Sequence, residues 1–455
     1  MASKFSYWLK SGVYTLLERF SALLFGFGSF FFLVRVLSKE DFGVWALFLT
    51  VTAFIEVARN GLIQNAQVKF LTSAPKEEHA KITTASMVLN FGLTGLSIFL
   101  ILIFSSILSL MWKSPVLEQM FYIYIITTVS LIPFSQCNFI QQANLDFKGI
   151  FWSNFVRQGL LFFYVLYAFV FNFSLALTTL AIVQAITSLA GAIVAYLFAK
   201  KFMVWAKAID WQWVSKLFHF GKYVFGTNVS SLFFKGMDQM MLGSMIGTAS
   251  VAMYNAAIRI SNLVEVPTTS VATVVFPQSA KRMATEGLGA VKHLYEKSVG
   301  LIMAIMLPFL LVILVFPETI IWILAGEQYL DSAPILQVTI LYSLFIPFLR
   351  QFGTVLDSIG KPHINFYFIV FCAVLNFGSN YFFITHYGII GAAYGSLTSY
   401  AIIFILNQII LYKKLRINTL VVFVHMKDFY VIGFNTAYSF YQTRFKKSSK
   451  SDKRI

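Results

Sequence analysis

Charge is what this chain has least of. Asp, Glu, Lys and Arg make up 12% of its 455 residues, against 58% hydrophobic. A soluble chain of this length needs about a quarter of its residues charged to cover its surface, so a water-exposed globular fold is excluded. Cysteine is almost absent: Cys137 and Cys372 both lie inside apolar runs and give neither a disulfide framework nor a metal pattern. The six histidines (His79, His219, His293, His363, His386, His425) fall at run ends or in linkers without metal-type spacing, so no metal and no cofactor is expected. There is no P-loop. Gly26-Phe27-Gly28 is a GxG inside an apolar run with no strand before it, which packing explains better than a nucleotide. No cleavable signal peptide is visible, because the first apolar run is too long, lacks a small-residue cleavage site and carries Glu18-Arg19 near its start.

What is present is a series of about twelve long apolar segments: roughly 13–36, 42–70, 82–110, 117–142, 149–171, 175–199, 219–246, 250–279, 295–316, 333–356, 364–384 and 389–412. Each is long enough to cross a bilayer. Lipid leaves no partner for an unpaired backbone group, so each must be helical. The expected fold is an all-α polytopic membrane protein. Pro133, Pro267, Pro308, Pro317 and Pro347 fall in or beside these segments and predict kinks.

The basic residues alternate between linkers. Lys76 and Lys81, Lys148, then Lys200, Lys201, Lys207 and Lys216 fall in every second linker. Lys281, Arg282, Lys292 and Lys297, then Lys361, then Lys413, Lys414 and Arg416 continue the pattern. The opposite linkers hold little more than Lys39 and Lys113, and one of them (Glu318, Glu327, Asp331) holds only acids. This is the positive-inside pattern, and it predicts a cytoplasmic N-terminus. It also accounts for the net charge of +16 without nucleic acid, for which no segment offers a contiguous basic face. A thirteenth span over 420–441 would carry Lys427 and Asp428 and put Lys446, Lys447, Lys450, Lys453 and Arg454 outside. The charge rule favours a cytoplasmic tail over 417–455, with an interfacial helix as its ordered part.

The longest basic linker, 200–218, divides the chain into two sets of six spans, 1–209 and 210–416. An offset of 209 residues places Gly12 on Gly221 and Phe42-Gly43-Val44-Trp45 on Val251-Ala252-Met253-Tyr254, a weak sign of duplication. Halves of equal orientation leave a cavity between them.

Several spans carry residues that lipid rejects. A central Arg or Lys costs roughly 2.5–3.5 kcal/mol to insert, so it must face protein or water. Glu56, Arg59, Asn60 and Gln67 share one helical face. So do Asn228, Ser231, Lys235, Asp238 and Gln239, and again Asn255, Arg259, Asn262 and Thr269. Asn154, Arg157 and Gln158, then Arg350 and Gln351, add to these. The candidate cationic cavity is therefore Arg59, Arg157, Lys235, Arg259 and Arg350, with Asn60, Gln67, Asn228, Gln239, Asn255 and Asn262 as its polar lining. Guanidinium forks and ammonium groups suit a pyrophosphate, and the amides suit its sugars. Glu56, Asp238 and Glu265 are the candidates for coupling to a proton or sodium ion. Plainer readings stand beside these. Glu18-Arg19 reads as a topology anchor, Arg35 and Lys39 as snorkelling end residues, and Glu56/Arg59 and Lys235/Asp238 as self-neutralising i,i+3 pairs.

Taken in order, LVRVLSKEDFGVWAL (Leu33 to Leu47), ARNGLIQNAQVKF (Ala58 to Phe70), MDQMMLGSMIGTASVAMYNAAIRI (Met237 to Ile260) and VVFPQSAKR (Val274 to Arg282) carry a resemblance. VLDSIGKP (Val355 to Pro362) and YGIIGAAYGSLTSY (Tyr387 to Tyr400) extend it. The chain resembles the bacterial lipid-linked oligosaccharide flippases of polysaccharide and O-antigen biosynthesis, within the superfamily of multidrug-and-toxin extruders and lipid II flippases. The resemblance implies two six-helix bundles, MATE-like, around a central cavity. It also implies alternating access and an undecaprenyl-pyrophosphate-linked repeat unit moved from the inner to the outer leaflet of the bacterial cytoplasmic membrane. The implied partners are that anionic lipid and membrane lipids, and the implied working unit is a monomer. Asp238, Tyr254 and Pro277 match family-like positions with structural roles. The alternatives are an ion-coupled drug exporter, which needs an acidic cavity, a lipid II flippase, and a membrane glycosyltransferase or polymerase. The last needs a larger outer catalytic surface than the longest outer linker (317–332) can build, so the chain is expected not to be an enzyme.

Overall fold

The computed structural model describes residues 2–263, 265–358 and 362–431, with 433 and 435. The Lys361 linker and the basic end of the tail from Lys446 lie outside the described residues. The described residues form helices and no strand. In order these are α1 (Ala2–Val36), α2 (Lys39–Ser73), α3 (His79–Met111), α4 (Val116–Ala143), α5 (Phe147–Val170) and α6 (Leu177–Ala199). They continue as α7 (Trp211–Met245), α8 (Thr248–Asn262), α9 (Glu265–Thr285), α10 (Leu288–Val315) and α11 (Pro317–Leu324). Last come α12 (Ala333–Ser343), α13 (Ile346–Ser358), α14 (Pro362–Tyr387), α15 (Ile389–Leu415) and a helix over residues 419–431, α16.

Polarity runs inside-out compared with a soluble protein. On α3, Phe99 is 58% exposed and Leu110 78%, whereas Asn90 and Thr94 are buried at 0% and 2%. Apolar side chains face outward because the surroundings are hydrocarbon, and polar ones turn inward because only protein can satisfy them. Among the described residues, ten helical stretches are long and apolar enough to cross a membrane. Two of the expected spans are not among the ten: α7, and the stretch now divided into α8 and α9. These are the segments with the densest polar faces, so their composition falls short although the length of α7 does not.

Prolines mark the starts of several helices. Pro267, Pro317 and Pro347 each sit in the first turn of a helix, α9, α11 and α13. There a missing N–H costs nothing, because first-turn donors have no partner within the helix. Pro133 and Pro308, by contrast, lie inside α4 and α10. Caps complete the plan. The Ser38 hydroxyl accepts from the Asp41 N–H at 3.0 Å to start α2, and the Asp210 carboxylate accepts from Gln212 and Trp213 to start α7. Gly247, with φ of +135°, ends α7 in a conformation that a Cβ disfavours.

The chain forms two compact units. One comprises residues 1–256 with 321–331 and 387–389; the other comprises 257–320, 332–386 and 390–455. The first runs past the 200–218 linker because α7 packs along α2 through glycines. A Cβ on Gly221 would lie 1.9 Å from the Leu62 carbonyl oxygen, and one on Gly61 would lie 2.8 Å from Asn228 Nδ2. Within the same unit Arg35 does more than snorkel. Its guanidinium donates to the carbonyls of Leu324 (3.1 Å) and Ile323 (2.9 Å), closing the C-terminus of α11. A buried polar seam joins α2, α3 and α4, where Ser86 Oγ lies 2.6 Å from Gln67 Oε1 and 3.0 Å from Gln136 Oε1.

The second unit is built on an apolar core of α10, α13, α15 and α16, including Tyr295, Val299, Phe352, Leu411 and Val422. Helix α16 therefore packs against α10.

Candidate functional site

Four helices of the first unit turn polar stripes toward one another. Tyr14, Glu18 and Arg19 come from α1; Glu56, Arg59, Asn60 and Gln64 from α2; Ser135, Asn138 and Gln142 from α4; and Asn154 and Arg157 from α5. Within each set the residues are adjacent or three or four apart, which brings them to one helical face. Together with apolar neighbours such as Phe134 and Phe147 they line a cavity of about 490 Å³.

Its charges are three arginines against two glutamates. Arg157 Nη2 lies 2.8 Å from Glu56 Oε1, an ion pair between α5 and α2 whose side chains are both less than a quarter exposed. Glu56 thus pairs across the cavity, not with Arg59 on its own helix. The Arg157 guanidinium also lies over the Phe134 ring at 5.1 Å. Arg59 is 3% exposed, and its Nη1 donates to the Thr128 carbonyl at 3.3 Å. Its Nε and the Asn60 Oδ1 are buried without a hydrogen-bond partner. The Arg59 Nε–H is a donor of the kind a phosphate oxygen accepts, and the Asn60 Oδ1 an acceptor of the kind a hydroxyl satisfies.

The structure brings Arg59, Arg157, Asn60 and Glu56 of the sequence candidates into this cavity. Gln67 turns to Ser86 in the α2–α3–α4 seam. Asn228 packs on Gly61, and Lys235 is exposed on α7. Gln239 accepts from Asn255 at 2.8 Å, and buried Asp238 accepts from the Tyr254 hydroxyl. Arg259 and Asn262 on α8, Glu265 on α9 and Arg350 on α13 belong to the second unit. Sequence reading assigned Glu18 and Arg19 to an anchor and passed over Gln64, Asn138 and Gln142, all of which line the cavity. The signal for α4 was present: residues 131, 135, 138 and 142 form one helical stripe.

An all-helical, lipid-facing fold with a charged internal cavity defines a polytopic membrane protein of transporter type. Comparison makes the class specific. The family described as polysaccharide biosynthesis protein matches residues 32–334, and the chain belongs to that family. It is 24% identical over 405 residues to a Shigella flexneri protein named as an O-antigen transporter, covering 85% of this chain and 93% of that one. It is 25% identical over 190 residues to a Haloferax volcanii protein named as a low-salt glycan biosynthesis flippase, covering 41% of this chain. It is 29% identical over 220 residues to an uncharacterised membrane protein of Methanocaldococcus jannaschii, covering 48% of this chain. The chain spans 39% and 43% of the lengths of those two archaeal relatives. In fold it is similar to an inward-facing multidrug resistance MATE family transporter of the MOP superfamily, with a TM-score of 0.72 at 14% identity over 89% of this chain and 98% of that one. It is equally similar to the lipid II flippase MurJ in an inward closed conformation, with a TM-score of 0.72 at 14% identity over 94% and 92%. The fold class is therefore MATE-like.

Proposed function

We propose that the protein is a flippase that moves an undecaprenyl-pyrophosphate-linked oligosaccharide repeat unit from the inner to the outer leaflet of the bacterial cytoplasmic membrane, for surface polysaccharide such as O-antigen or capsule. It acts by alternating access of two six-helix halves, 1–209 and 210–416, as a monomer with both termini cytoplasmic. Family membership and the names of the relatives support the class of cargo. The observation that carries the reading is the cavity, in which Arg19, Arg59 and Arg157 stand among Asn and Gln side chains inside apolar helices. Forked guanidinium donors take up phosphate oxygens, and the amides exchange hydrogen bonds with sugar hydroxyls. Lys235, Arg259, Arg350 and Asn262 are retained as further cargo contacts outside this cavity, whereas Gln67, Asn228, Gln239 and Asn255 pack against protein partners and are not. Asp238 and Glu265 are retained as coupling acids, but Glu56 is the strongest of the three because it is held by a cargo-binding arginine.

One observation favours a second reading. Glu18 and Glu56 in the same cavity are what an exporter of organic cations requires. Glu56 is already neutralised by Arg157, which leaves such a cation little counter-charge.

The test is a leaflet assay. Protein is reconstituted in liposomes carrying a pyrophosphate-linked lipid oligosaccharide, and an external sugar-modifying enzyme reports access to the inner pool. Wild type is expected to expose that pool, and an Arg19→Ala/Arg59→Lys variant to do so at least tenfold more slowly. Equal rates in the variant, or equal movement of a lipid-linked sugar without phosphate, would remove the anionic-cargo reading.

A further inference from the structure

The described residues contain a cluster that transport does not use. His293 and Glu296 on α10 and His425 on α16 bring their ligand-type atoms within 4.8 Å of one another. His293 and Glu296 are three residues apart and so share a helical face, and the fold supplies the second histidine from the far end of the chain. The approach is close because position 300 is glycine: a Cβ there would meet His425 Cβ at 2.8 Å and the Val422 carbonyl oxygen at 2.9 Å.

Three features fit a metal ion. The His425 Nε2 is buried and has no hydrogen-bond partner, whereas its Nδ1 faces the Asp428 carboxylate at 3.7 Å. A ligating imidazole is ordinarily arranged this way, with one nitrogen on the metal and the other oriented by a carboxylate. Glu296 is 3% exposed, and its Oε1 accepts from the Asn418 backbone N–H at 3.0 Å, which fixes the carboxylate while leaving lone pairs open. His293 is exposed, so an ion has an entry path. Donors of a tetrahedral zinc site stand about 3.3 Å apart, which the three side chains reach by a small rotamer adjustment. The opposing feature is the Lys292 ammonium, 3.9 Å from Glu296 Oε1; it is one-third exposed and can turn to solvent.

The geometry points to a binding site for a divalent transition-metal ion of the zinc type at His293, Glu296 and His425, with water completing the coordination, which clamps α16 onto the N-terminal end of α10. Two imidazoles and one carboxylate select zinc-like ions over magnesium or calcium, which require oxygen ligands. Binding to a site made by tertiary packing stabilises that packing.

The probe is zinc chloride added to the full chain, purified without a polyhistidine tag and stripped with chelator in detergent. The expected result is one zinc per chain by elemental analysis after desalting, a raised unfolding temperature with zinc and no change with magnesium. His293→Gln and His425→Gln each weaken zinc binding at least tenfold. Lys292→Gln, which leaves all three ligands in place, tightens it several-fold. Wild type that retains no zinc overturns the proposal whatever the variants do. So does wild-type zinc content persisting in a folded His293→Gln/His425→Gln double variant, or binding unchanged by Lys292→Gln.

Discussion

Glu56 and Arg157 meet from α2 and α5 at 2.8 Å, each less than a quarter exposed. An ion pair there stabilises mainly by sparing each partner from standing alone. Glu56→Gln and Arg157→Met should therefore each destabilise the detergent-solubilised protein by about 1–3 kcal/mol, and the double variant should lose less than their sum. Thermal unfolding of all four proteins measures the coupling; additive losses would mean that the pair does not interact. Arg59 differs because its Nη1 finds only a backbone carbonyl and its Nε none. That is why Arg59→Lys, which keeps the charge and removes the fork, belongs in the transport test.

At the scale of elements, glycine decides which helices come together. Gly221 lets α7 lie against the Leu62 carbonyl of α2, and no side chain fits the gap. Gly221→Val should force the two helices apart at a cost of about 1–3 kcal/mol, the range for overpacking. Gly26→Val, where nothing lies within 4 Å of the added carbon, should leave stability within error. Thermal unfolding of the two variants side by side checks the contrast, and equal effects would remove the close-packing account. Prolines act on elements in the opposite sense. Pro267, Pro317 and Pro347 fall in the first turns of helices, and the expected spans 250–279 and 333–356 each appear as two helices.

For the whole molecule, the alternation of basic linkers predicts sidedness. The two native cysteines are buried, so single cysteines introduced elsewhere report on a low background. Lys113→Cys should react with a membrane-impermeant maleimide on intact cells, and Lys207→Cys only after permeabilisation. The reverse pattern would invert the topology, and with it the direction in which the cavity was read.

The helical class, the run of membrane spans and the alternation of charge were legible in the sequence because each is a one-dimensional property. Hydrocarbon thickness sets segment length, backbone desolvation imposes helix, and Lys and Arg placement is read linker by linker. Part of the cavity was legible for the same reason: Glu56, Arg59, Asn60 and Arg157 announce themselves as costly residues in apolar runs. Asn138 and Gln142 do not, since an amide in a helix is as often a packing contact, such as Gln67 with Ser86. Glu18 and Arg19 lie close enough to a span end to pass for anchors. Partnership is where sequence reasoning ended. That Glu56 pairs with Arg157 and not with Arg59, that Arg35 closes α11, and that His425 meets His293 and Glu296 are outcomes of tertiary packing. The physical reason is common to all three: periodicity tells which face of a helix a residue occupies, but only the packing of helices distant in sequence decides what that face meets.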